Sequence, residues 1–134
     1  MSVFASPRFL RNVLWADAAS CLASGAVQLA GGAALARLLG LPQPLLTGTG
    51  FFLLAYAAAV ALAATRDPLP RMLVGLFAAG NAAWAVGCIA LLATGTLQPS
   101  ALGMAWVIAQ ALCVAVLAEL QWTCLRRTAV PGWA

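Results

Sequence analysis

Residues 45–65 read LLTGTGFFLLAYAAAVALAAT, an uncharged run of 21 residues closed by Arg66, Asp67 and Pro68. At about 1.5 Å of helical rise per residue, such a run crosses the ~30 Å hydrocarbon core of a bilayer. Three more apolar stretches of similar length lie around it, at residues 13–39, 69–94 and 101–125. The four fill nearly all of the 134 residues, leaving only turns and ends for water. Lipid is therefore the solvent for most of the chain, and one helical domain accounts for its length.

Composition agrees with this reading. Hydrophobic residues make up 64% of the chain and charged residues 7%, with a mean hydropathy of +0.99. A soluble domain carries about 25% charge. The net charge is +4 and all seven basic residues are Arg. They form no single patch, so nucleic acid is not an expected partner. Arg8 and Arg11 precede span 1, Arg66 and Arg71 flank the turn between spans 2 and 3, and Arg126 and Arg127 follow span 4. Only Arg37 falls on the other side. The positive-inside rule makes the arginine-rich side cytoplasmic. The expectation is an all-α, multi-pass protein of the bacterial inner membrane with both termini cytoplasmic. Its four helices, at roughly 7–39, 44–65, 68–94 and 99–126, would form an antiparallel up-down-up-down bundle. Arg8 and Arg11 could also head a signal peptide. Asp17 interrupts the apolar run, however, and the run continues past Ala30, so the segment is read as a retained span.

Local signals set the helix ends. Ser6-Pro7 is a start, with Ser as cap and Pro at the first helical position. Gly40 followed by Pro42 is a stop. Helix 1 would then be ~50 Å long, which calls for a tilt, an interfacial turn or a bend at Gly31-Gly32. Asp67 is expected to cap helix 3, with Pro68 opening it and Arg71 placed for an ion pair. Small residues at Gly75, Ala79, Ala83 and Gly87 on helix 3, and at Gly25 and Gly32 on helix 1, are expected to let helices approach closely.

The polar residues inside the spans are the candidates for function. Asp17, Ser20, Cys21, Ser24 and Gln28 fall within about a 100° sector of helix 1. That stripe must face protein, water or a bound headgroup. It reads either as interhelical hydrogen bonding or as the wall of a polar cleft in the cytoplasmic half. Asp17 and Glu119 are the only acids outside the inner turn. At a common depth they could share a proton, as a proton-coupled transporter would require. The competing expectation pairs Asp17 with Arg11 and Glu119 with Arg126. Glu119 lies nearly opposite Gln110 and Gln121 on helix 4, so one face of that helix is expected to meet another helix or subunit. Gln28, Asn81 and Gln110 have similar estimated depths and are expected to join as a mid-membrane layer locking helices 1, 3 and 4. Trp84 shares the face of Asn81 and would floor a small-molecule pocket there. Trp106 shares the face of Gln110. Trp15 and Trp122 read as interfacial anchors.

No catalytic set stands out. The absence of His removes bis-His haem and most zinc sites, and no metal or cofactor is expected beyond a bound lipid or quinone. Cys21, Cys88, Cys113 and Cys124 form no C-x-x-C pair and read as buried free thiols. Cys88 and Cys113 alone have matching depth for a disulfide.

The segment Ala36-Arg37-Leu38-Leu39-Gly40-Leu41-Pro42, the entry to helix 2 through Gly48 and Gly50, and Asn81-Ala82-Ala83-Trp84 together resemble DoxX-like proteins of the bacterial inner membrane. The resemblance spans most of the chain and implies a four-helix membrane fold. No site residue is carried over from it. Small multidrug exporters are similar in size and carry an acid in the first helix, where Asp17 stands. This chain departs from them in its one-sided charge and its aromatic and Gly pattern. The leading expectation is a non-enzymatic subunit, partnered by the bilayer and by copies of itself or other membrane subunits. A transporter using Asp17 is the alternative, and a redox or lipid-linked enzyme a third reading.

Overall fold

The computed structural model describes residues 3–128. After a single 3-10 turn at Val3–Ala5 come four helices: α1 Pro7–Leu39, α2 Gln43–Ala64, α3 Arg71–Ala93 and α4 Ala101–Arg127. All four are long and apolar enough to cross a membrane, and no strand occurs among the described residues. Large apolar side chains point outward, among them Val86, Leu62 and Leu112 at 69%, 64% and 64% exposure. Such a surface suits lipid tails and would be a liability in water.

The ends of α1 follow from local chemistry. Ser6 accepts a hydrogen bond from the Phe9 N–H at 3.4 Å, with Pro7 in the first turn. Gly40 closes the helix at φ 66°, its N–H donating to the Ala36 carbonyl. Within α1, Gly32 leaves helical geometry at φ 50°, ψ −135°, a conformation that strains any residue with a β-carbon. The long first helix is thus broken at the expected Gly pair.

Helix α3 begins at Arg71, not at Pro68. Pro70 disfavours helical backbone at Leu69, so the helix starts after it. Asp67 caps nothing and instead lies 3.9 Å from Arg11, a largely solvated contact with Asp67 90% exposed. Arg71 is buried and caps a different helix: it donates to the carbonyls of Thr128, at 3.0 Å, and Leu125 at the end of α4. Those carbonyls have no partner within the helix, and a guanidinium also suits the negative end of its dipole. Arg11 adds a bond to the Arg66 carbonyl at 3.0 Å.

Packing is uneven. Helix α1 lies along α2 and also contacts α4, α3 lies along α4, and α2 scarcely touches α3. The α1–α2 crossing is tightest at Gly25 and Gly50, where a β-carbon on Gly25 would sit 2.9 Å from the Gly50 carbonyl oxygen. The stripe on α3 behaves differently from expectation. A β-carbon on Gly75 would only reach Leu125 Cδ2 at 3.5 Å, and one on Gly87 would meet nothing within 4 Å. Gly75 and Ala79 border a groove against α4, while Ala83 and Gly87 border a cavity facing α2. Apolar packing is divided between one end, around Leu10, Leu14, Val60, Val74 and Leu125, and the other, around Leu39, Leu46 and Val107.

Candidate functional site

Each helix sends one polar side chain to a single point. Asp17 of α1 is fully buried on the face that also carries Leu14, Ala18 and Cys21. Its Oδ2 accepts from Gln121 Nε2 at 2.6 Å, from Asn81 Nδ2 at 2.9 Å and from the Tyr56 hydroxyl at 3.4 Å. The Cys21 thiol lies 3.5 Å from Oδ1. Asn81 Nδ2 also donates to Gln121 Oε1 at 3.2 Å, and the Tyr56 hydroxyl is within 3.2 Å of the Phe77 carbonyl. A carboxyl group removed from water needs donors, and these come from α2, α3 and α4. Every buried side-chain polar atom among the described residues is satisfied.

The expected ion pairs are not formed. Arg11 turns to Arg66 and Asp67, and Arg11–Asp67 is the one salt bridge among the described residues. Glu119 does not approach Asp17. It is exposed on the opposite face of α4 and, among the described residues, accepts only from Thr123 Oγ1, at 3.3 Å. The 200° between positions 119 and 121 is the reason, because Gln121 takes the inward face.

The expected single layer of Gln28, Asn81 and Gln110 is two layers. Asn81 belongs to the Asp17 cluster. Gln28 and Gln110 form the second layer, with Gln110 Nε2 3.5 Å from Gln28 Oε1. Gln28 Nε2 donates to Thr49 Oγ1 at 2.7 Å and to the Leu46 carbonyl at 3.2 Å. The Trp84 indole N–H donates to Gln110 Oε1 at 3.4 Å. Gln28 sits eleven residues beyond Asp17 on α1, about three turns and ~16 Å along the helix. Asn81 and Gln110 were therefore too far apart in depth to meet directly.

The second layer borders a cavity of about 500 Å³ in the gap between α2 and α3. Gln28, Gln110, Trp84 and Trp106 line it together with apolar residues such as Leu46 and Val107. The Phe52 and Trp84 rings stack across the gap at 5.7 Å and 12°, and Phe52 also stacks on Tyr56 at 6.2 Å. These rings stand between the cavity and the Asp17 cluster. Pockets for small molecules typically occupy about 300–1,000 Å³, mostly apolar with a few placed polar groups. This cavity has that character, on the Gln28 side and not in the half expected from the stripe.

Ser20 and Ser24 take little part. Ser20 donates to the Asp17 carbonyl at 2.9 Å, and both serines line a crevice of about 40 Å³ beside Trp84 and Gln110. Tyr56, Gln121 and Thr49 complete the polar layers and were not singled out as site residues. Tyr56 is the only Tyr of the chain, and that single phenol in the middle of an apolar span was the available signal. All four cysteines are free, Cys88 half-buried and Cys113 exposed. Among the described residues no three His, Cys, Asp or Glu side chains gather as a metal site. Compared with protein-family models, curated proteins and solved structures, the chain finds no match.

Proposed function

We propose that this chain is a non-enzymatic integral protein of the bacterial inner membrane that holds a lipid-soluble molecule between α2 and α3. The observation that carries this reading is the cavity of about 500 Å³ with an amide and indole floor at the gap between two helices that scarcely touch. Six arginines at the two termini and the 2–3 turn, against Arg37 alone, support an up-down-up-down bundle with both termini cytoplasmic. Gln110 and Trp84 offer hydrogen bonds to a carbonyl or hydroxyl group of a lipid-soluble ligand, as a quinone or a diacylglycerol carries. The long 3.4–3.5 Å contacts of Gln110 are the ones a ligand would replace. Native mass spectrometry in mild detergent tests this with dioctanoylglycerol as probe. The protein should retain the probe, and Gly87→Phe should release it while leaving the unfolding midpoint in place, because open space surrounds that position. Equal retention by the variant would remove the reading.

A second reading, an assembly subunit, is favoured by Glu119. An exposed acid on a helix within the membrane calls for a partner, and it borders an alanine-rich groove of about 510 Å³ between α3 and α4. In this reading a transmembrane helix of another subunit occupies the groove. Chemical crosslinking in native membranes should give a discrete higher-mass species, and Ala82→Trp in the groove should abolish most of it. A solitary monomer in both proteins would rule the assembly out. For the transporter reading, the enclosure of Asp17 by four donors supports a locking role over exchange with either side of the membrane.

A further inference from the structure

The cavity has a polar neighbour. Around the α1–α2 turn and the α3–α4 loop lies an open cup of about 650 Å³, lined by Arg37, Gln43, Thr96 and Gln98. Cup and cavity share Leu41 and Leu97 as a common wall. Arg37 is the only basic residue at this end and has neither a carboxylate nor a hydrogen-bond partner among the described residues. The cup carries no acid, so its charge is uncompensated. Across one wall, an unpaired guanidinium with two amides and a hydroxyl thus adjoins a mostly apolar chamber reaching into the membrane.

We infer that cup and cavity form one site for an anionic lipid, with the phosphate head on Arg37 and an acyl or prenyl chain in the cavity between α2 and α3. The assignment rests on the reading of the cavity as a ligand site and adds the charge of the ligand. A guanidinium recognises phosphate through paired N–H donors. Gln43, Thr96 and Gln98 supply further polar contacts for a headgroup. A chain passing Leu97, which is half-buried, enters the chamber against Trp106 and Leu91. Neutral lipids would use the chamber alone, and free phosphate the cup alone.

Native mass spectrometry on the full chain, with dioctanoyl phosphatidic acid, dioctanoylglycerol and inorganic phosphate as separate probes, tests the assignment. Phosphatidic acid should be retained about fivefold better than dioctanoylglycerol, the size of one arginine–headgroup attraction. Arg37→Gln should bring the two within twofold. Arg126→Gln should leave the preference intact, which separates this site from general attraction to the arginine-rich end. Gly87→Phe should release both lipids. Retention of both lipids to the same extent, lost in Gly87→Phe, would overturn the anionic assignment and leave the cavity reading standing. Retention of neither lipid would overturn both. Binding of inorganic phosphate as tight as that of phosphatidic acid would make the cup an ion site and remove the lipid assignment. A preference that survives Arg37→Gln would remove it too.

Discussion

Asp17→Leu should lower the stability of the bundle by about 2–4 kcal/mol, and Asp17→Asn by no more than about 1 kcal/mol. Leucine removes the acceptor on which Gln121, Asn81 and Tyr56 converge. A buried donor left without its partner costs about 1–3 kcal/mol. Part of that is recovered, because Asn81 Nδ2 keeps its bond to Gln121 Oε1. Asparagine can hold its oxygen where Oδ2 now lies and turn its amide toward Cys21. The donors from α2, α3 and α4 then keep their acceptor. Interhelical hydrogen bonds in membranes average only about 0.6 kcal/mol by double-mutant cycles, so the asparagine variant should sit near the wild type. Unfolding midpoints in one detergent measure both. Equal midpoints for leucine and asparagine would show that the four-helix cluster does not hold the bundle. A proton-carrying role shares that expectation for the fold and adds another, that asparagine abolishes function.

The second large effect is at a helix crossing. Gly103→Ala should cost about 2–3 kcal/mol, whereas Gly87→Ala should be neutral or stabilising by up to about 1 kcal/mol. A β-carbon at 103 would fall on the Leu39 carbonyl oxygen, where the start of α4 crosses the end of α1. Two bonds fix that crossing: Ser100 N–H to the Leu39 carbonyl at 3.0 Å and Ser100 Oγ to the Leu38 carbonyl at 2.8 Å. Ser100 Oγ also accepts from the Gly103 N–H at 3.1 Å, capping α4. Pushing the helices apart would strain all three. At 87 the new methyl meets nothing within 4 Å, and alanine is the better helix former. The same substitution should therefore act with opposite sign at two positions in membrane-length helices. Midpoints that fall equally for both would mean that backbone clearance does not govern packing here.

What could be read from the sequence divides by distance along the chain. Ser6 with Pro7, Gly40, and the bend at Gly32 were legible because caps and left-handed glycines act within a turn of themselves. That the Asp17 face turns away from lipid was legible because a helix repeats every 3.6 residues, which puts Asp17, Cys21 and Gln28 on one stripe; whether it met protein or a polar cleft was not. Nor was partner identity. Whether Asp17 meets Arg11 or Gln121 depends on how each helix is rotated and how deep it sits. Helix α2 is apolar over most of its surface, and the single phenol of Tyr56 was the one sign that this position turns inward. Helix α4 has polar residues on two faces, and only its packing on α1 and α3 decides that Gln121 goes in and Glu119 out. The start of α3 was misplaced because Asp67-Pro68 reads as a cap and first turn, whereas Pro70, two residues on, controls Leu69. The cavity was least legible of all, since it arises where α2 and α3 fail to meet, and a missing contact leaves no mark on either helix.

That missing contact also decides how a ligand would arrive. In the lipid-site reading, a gap between two membrane-length helices opens sideways toward lipid tails, while the neighbouring polar cup at Arg37 takes the headgroup. Molecules already dissolved in the bilayer would reach it by two-dimensional diffusion. Their local concentration is set by partitioning, which gains about 0.8 kcal/mol for each methylene withdrawn from water. A long-chain compound would therefore fill the site at very low aqueous concentration even where its contacts with Gln110 and Trp84 are weak. Selectivity would then lie in the head, and occupancy in the tail.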